Sequence, residues 1–143
     1  MNSIIISNYG PINKVDIQLG DFTILLGPQA SGKTLFLQML KLLIDKDHIV
    51  QTLTRYNYVT NKQPDQILNY YFGDRLSSMW KKDTEIEGDG KKYKKGFLLK
   101  QNDTNVVEKV FYVPAQRILS IADGRPKNFM EYDISSPYVL RNF

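Results

Sequence analysis

The 143-residue chain is long enough for one folding unit, burying about two-thirds of the surface its unfolded form exposes. With 42% hydrophobic and 24% charged residues it reads as neither a disordered tail nor a membrane protein, and no run approaches the roughly 18 apolar residues that span a bilayer. The absence of cysteine and the single histidine (His48) exclude a disulfide framework, a zinc-thiolate site, a cysteine nucleophile and a multi-histidine metal site, while a net charge of +4 permits an anionic partner without demanding one.

In chain order, Ile4-Ile5-Ile6 is a short β-branched strand ended by the turn formers Asn8-Tyr9-Gly10-Pro11. Val15, Ile17 and Leu19 alternate with Asp16 and Gln18, the pattern of a strand with one wet face. Phe22-Thr23-Ile24-Leu25-Leu26 is nearly all apolar, which predicts a strand covered on both faces. After the loop at 27–34, residues 35–44 are mostly apolar. Only Gln38, Lys41 and Asp45 are polar, on one stripe of a helix whose remaining circumference is expected to be buried. Residues 46–62 carry no clear pattern. Pro64 opens a second helix through Phe72, with Gly73 as its stop, and 74–80 extend it or form another turn. Residues 83–109 are expected to be an antiparallel insert. Asp89-Gly90 marks a hairpin that sets Glu87 opposite Lys92, Ile86 opposite Tyr93 and Glu85 opposite Lys94. Gly96-Phe97-Leu98-Leu99 and Val106-Val107 flank a second turn at 102–105. Val110-Phe111-Tyr112-Val113 predicts another buried strand, stopped by Pro114, and 114–143 hold turn signals.

The chemistry concentrates in Gly27-Pro28-Gln29-Ala30-Ser31-Gly32-Lys33-Thr34, which matches G-x-x-x-x-G-K-[ST]. Four fixed positions recur by chance on the order of once per 200 chains of this length, and here an apolar run leads in and an apolar helix leads out. Glycines let the backbone curl so that successive N–H groups face phosphate oxygens, and the helix N-terminus adds partial positive charge. Lys33 is then expected to reach the β- and γ-phosphates, and the Thr34 hydroxyl to ligate Mg²⁺. The nucleotide-binding set runs from Gly27 through Leu35.

The run Ile5-Ile6-Ser7-Asn8-Tyr9-Gly10-Pro11-Ile12, followed by Leu25-Leu26 and the loop, resembles the N-terminal lobe of ABC-type ATPase heads of the RecF, structural-maintenance-of-chromosomes and overcoming-lysogenization-defect groups. Tyr9 stands where those families usually have Phe, and Gln29 where they have Asn. The resemblance covers most of residues 3–117 and implies an α/β fold: a P-loop NTPase core with a mostly parallel sheet and a small antiparallel β subdomain, all one domain over 1–143. It also implies ATP and Mg²⁺ as ligands. Gln116, after the run 110–113, falls where those heads carry a Gln that touches Mg²⁺ and the attacking water; its other reading is an exposed polar residue after a proline turn. Tyr9 either packs against adenine or is a buried turn tyrosine.

Hydrolysis in such heads needs an acidic strand end and an L-S-G-G signature. Leu42-Leu43-Ile44-Asp45 has the right letters but lies on the helix leaving the loop, and no signature is present. The chain therefore reads as the front half of a head, a truncated product or a fragment, binding ATP and dimerising through a missing half or a partner chain. The lysine pairs 81–82, 91–92 and 94–95 admit DNA as a partner, with Trp80 and Tyr93 for stacking, or a solvated hairpin that pairs its own charges. A small-molecule kinase and a non-catalytic nucleotide sensor or DNA-binding module are the alternatives. Met1–Ile6 lacks the basic region and cleavage site of a signal peptide, so a cytoplasmic location is expected.

Overall fold

β-branched residues at the start of the chain form β1 (Ser3–Tyr9), which lies between two antiparallel neighbours. On one side is β2 (Ile12–Gln18), pairing Ile6 with Val15 and Ile4 with Ile17. On the other is β3 (Trp80–Gly88), pairing Ile4 with Gly88 and Ile6 with Ile86. β4 (Lys91–Tyr93) completes the order β2-β1-β3-β4. The computed structural model describes residues 1–58, 63–100, 106–113, 121–122, 125–126 and 136–141. Beyond the main sheet are a short pair, β5 (Ile121–Ala122) with β6 (Arg125–Pro126), and three helices: α1 (Lys33–Arg55), α2 (Pro64–Phe72) and α3 (Tyr138–Arg141).

Period-2 alternation puts Ile4 and Ile6 on the covered face of β1. They join Ile86 from β3, Met39, Leu42 and Ile49 from α1, and Ile67, Leu68, Tyr71 and Phe72 from α2 in one hydrophobic core. Tyr138 of α3 stacks on Tyr71 at 5.8 Å between ring centroids, so the apolar tail packs on α2. Burial pushes the Tyr71 hydroxyl well above its ordinary pKa and the Tyr138 hydroxyl up to about 12. The Tyr71 proton is used: it bonds the Gln38 carbonyl at 2.7 Å.

The hairpin at Asp89-Gly90 forms in the expected register, Glu87 opposite Lys92 and Ile86 opposite Tyr93, with both turn residues at positive φ (49° and 76°) as a type I′ turn requires. β4 ends at Tyr93, so the Glu85–Lys94 pair is not made; Glu85 faces Ser7 of β1 instead. The expected separate insert is thus partly an extension of the N-terminal sheet, and residues 95–99 form a 3-10 turn rather than a strand. The second turn, at 102–105, lies outside the described residues.

Asp89 also ties down the chain start. Its carboxylate accepts the Asn2 and Ser3 amides at 2.7 and 2.9 Å, which holds its pKa below the usual 3.8. The lowered folded-state value means that this contribution is present above the unfolded pKa and is lost as pH falls through the folded one. Asp89→Asn is therefore expected to flatten the fall in thermal stability below about pH 4, as checked by melting curves at pH 3 and pH 7.

Four expectations need correcting. The sheet is antiparallel, not mostly parallel, because both described neighbours of β1 run against it. Phe22–Leu26 pairs with no strand among the described residues, with Phe22 83% and Leu26 89% exposed; an apolar run shows only that a strand could be covered, not that its neighbours are there. Residues 110–113 likewise lie in no ladder, and Phe111 is 71% exposed. On α1 the apolar residues Phe36, Met39, Leu42 and Leu43 are buried as expected, but the polar stripe of Gln38, Lys41 and Asp45 is buried as well, and Leu37 is exposed. Buried polar side chains persist where partners satisfy them, and residues 108–110 supply partners for Lys41 and Asp45.

Candidate functional site

The loop at 27–34 joins the 22–26 run to the N-terminus of α1. Ala30 and Gly32 both take left-handed conformations, with φ 61° and 91°, which curls the backbone as an anion-binding nest does. Gly32 is the N-cap. The first amides of a helix have no intrahelical acceptor, and the positive end of α1 has neither a side-chain cap nor an acidic residue in its first turn to offset it.

Lys33 closes the loop over itself. Its Nζ donates to the Gly27 carbonyl at 2.8 Å, the Pro28 carbonyl at 2.5 Å and Ser31 Oγ at 3.3 Å, so one ammonium bridges the loop from Gly27 to Ser31. Gln29, Ala30 and Thr34 are exposed, Leu35 is half-buried, and the Thr34 hydroxyl makes no hydrogen bond among the described residues.

The Asn8-Tyr9-Gly10-Pro11-Ile12 turn acts as the platform for this loop. A Cβ built on Gly32 would lie 2.6 Å from Ile12 Cγ1 and 3.4 Å from Pro11 Cγ. Only glycine gives both that approach and φ 91°. Gly32→Ala is expected to cost about 1–2 kcal/mol from the backbone alone, with further loss from displacing Ile12. Urea unfolding measures the stability part, and nucleotide titration the damage to the loop.

Beside the loop, a cavity of about 500 Å³ opens between β2 and the 24–26 segment. Lys14, Val15 and Ile17 line one wall, Ile24 another, and Ser31 and Lys33 its loop side. This wall is not evident from the sequence: the alternation along β2 groups Val15 with Ile17 but does not show that the 24–26 segment lies beside them.

Tyr9 sits elsewhere. Its ring is 1% exposed and packed between Phe72 and Trp80, with centroids 5.8 and 6.2 Å away, so no adenine reaches it. Of its two sequence readings the structure realises the buried one. Burial raises its hydroxyl pKa well above the ordinary value. Gln116 lies outside the described residues. Trp80 packs against Phe97 and is not available for stacking.

A second feature lies on the outer face of the sheet. A groove of about 630 Å³ over Ile5 is lined by Lys81, Lys82, Lys92 and Lys94, with Glu85 and Glu87. Although Glu87 faces Lys92 in register, no ion pair within 4 Å joins them, and none holds Lys81, Lys82 or Lys94 among the described residues. Lys95 differs: it bonds Asp65 on α2.

No cluster of metal-ligating side chains occurs among the described residues, and no helix there is long and apolar enough to cross a membrane. A family model described as "AAA ATPase domain" matches residues 1–132. No curated protein and no solved structure matches the chain.

Proposed function

The chain belongs to the AAA ATPase domain family, and on that premise we propose that it binds ATP with Mg²⁺ at residues 27–35 as the N-terminal lobe of an ABC-type ATPase head. The observation that carries this reading is the uncapped N-terminus of α1 facing a left-handed loop whose own lysine bridges it. An incoming triphosphate offers Lys33 stronger acceptors than the Gly27 and Pro28 carbonyls, because charge-assisted bonds are roughly twice as strong as neutral ones. The phosphate oxygens also take the amides of the loop and first turn. The donor set fits Mg²⁺ brought in with the nucleotide: the ion keeps water and phosphate oxygens and needs few protein ligands. Thr34 Oγ, exposed and free among the described residues, is the ligand on this chain, and the ion there neutralises phosphate charge. The cavity walled by Lys14, Val15 and Ile17 is the space for the nucleoside.

Titration of the chain with Mg-ATP, followed by a phosphate-release assay, tests the proposal. Binding without turnover is expected, because Asp45, the one acidic residue ending an apolar run near the loop, is held in the helix by other bonds. Absence of binding at millimolar nucleotide would overturn it.

The free lysines around the outer groove favour one further reading, an electrostatic contact with DNA. It predicts DNA affinity that falls steeply with salt. Lys92→Ala with Lys94→Ala is expected to lower the log–log salt slope by about two. Binding insensitive to salt or to these changes would remove it.

A further inference from the structure

Among the described residues, a heavily bonded cluster of charges lies away from the phosphate loop. Asp45, whose side chain is fully buried, interrupts α1 with non-helical dihedrals (φ −109°, ψ 20°). Its Oδ1 accepts the Lys109 amide at 2.9 Å; its Oδ2 accepts the Val110 amide at 2.8 Å and Lys41 Nζ at 3.3 Å. Lys41, 2% exposed, also donates to Glu108 Oε1 and to the Val110 carbonyl, each at 2.5 Å. Every proton of the ammonium thus has an acceptor, and both carboxylate oxygens hold consecutive backbone amides. We propose that Lys41, Asp45 and Glu108 form an ionic latch that positions residues 106–113 against α1 and couples their attachment to the state of the phosphate loop.

The positioning part follows from geometry. Residues 106–113 pair with no strand among the described residues, so no described sheet bond sets their register on the helix. Side chains along an extended segment alternate, and a slip of one residue would turn every one of them over. Asp45 selects the amides of Lys109 and Val110, and that choice leaves Val107, Phe111 and Val113 facing outward. An apolar substitute for the carboxylate would pack, but it could not accept two amides.

The coupling part rests on the nucleotide-binding reading. Residues 33–44 form one helical segment with the loop at its start and Asp45 at its end, about 18 Å long at 1.5 Å per residue. The latch has a rival arrangement using the same residues. In a straight helix, Lys41 and Asp45 stand four apart and pair with each other alone, which releases the 109 and 110 amides. Anion binding at the loop fixes the start of the segment, and fixing one end lowers the ordering cost at the other. Nucleotide is therefore expected to tighten the latch.

Hydrogen exchange on the full chain, read at the Lys109 and Val110 amides with and without Mg-ATP, tests this. Protection there is expected to rise about fivefold with nucleotide. Asp45→Asn is expected to lower protection at these two amides about tenfold more than at the β1 amides, a difference that general destabilisation alone would not give. By reciprocity the same variant should weaken Mg-ATP by the factor that nucleotide adds to protection. If Asp45→Asn does not fold, Glu108→Gln, at a partly exposed position, gives the same readout with a smaller change. Unaltered 109 and 110 protection in the variant overturns the latch. Protection that ignores a nucleotide shown by titration to be bound overturns the coupling alone. If no nucleotide binds, the functional reading and the coupling both fall, while the variant still decides the positioning.

Discussion

Lys33→Ala is expected to lower Mg-ATP affinity by about a hundredfold or more, the loss of roughly 3 kcal/mol for a charged hydrogen bond to phosphate. The side chain carries the loop's own cation and bonds three of its atoms, so truncation removes the charge and frees the Gly27 and Pro28 carbonyls together. Those carbonyls sit in an exposed loop, where water replaces the lysine at little cost to the fold. Thermal unfolding separates the two effects. Wild type at 100 times its Kd should gain about 2.7 kcal/mol from ligand, and the variant almost none, with ligand-free melting points close together. An affinity unchanged by the substitution would falsify the assignment of the loop.

Lys41→Met is expected to be the most destabilising single change at a charged position, at about 3–5 kcal/mol. It leaves the buried Asp45 carboxylate with two amides and no cation, and it breaks the contact to Glu108. The exposed pair of Lys95 with Asp65 is the control: Lys95→Met should cost under about 1 kcal/mol, because solvent screens it. Urea unfolding of both variants gives the comparison. Similar small losses from the two would mean that the buried cluster contributes no more than a surface pair.

The sequence reading was strongest where local chemistry dictates local structure. Gly27-x-x-x-x-Gly32-Lys33-Thr34 gave the loop, Asp89-Gly90 gave the hairpin and its register, and Pro64 with Gly73 bounded α2, because each depends on residues within a few positions of one another. It was weakest where a partner distant in sequence decides. The Gln38, Lys41 and Asp45 stripe looks like a wet face until the chain near 108–110 supplies acceptors and donors for it. Phe22–Leu26 reads as a buried strand because hydrophobicity reports what could be covered. Tyr9 occupies the turn of the motif, yet its ring enters the core between residues some 60 to 70 positions away. The β2 wall of the cavity escaped notice because its neighbour, the 24–26 segment, was assigned to a sheet.

The placement of β1 between β2 and β3 has a consequence during synthesis. β1 and β2 emerge from the ribosome almost together, but Gly88, the partner of Ile4, follows about 80 residues later. At about 5–20 residues per second that is a wait of roughly 4–16 s. Through that interval the nascent hairpin shows an open edge and the uncovered isoleucines Ile4 and Ile6, with only α1 and α2 arriving to shield them. Emergence of β3, rather than completion of the β1–β2 hairpin, is therefore expected to close the window in which the edge can pair wrongly, and conditions that slow elongation lengthen it.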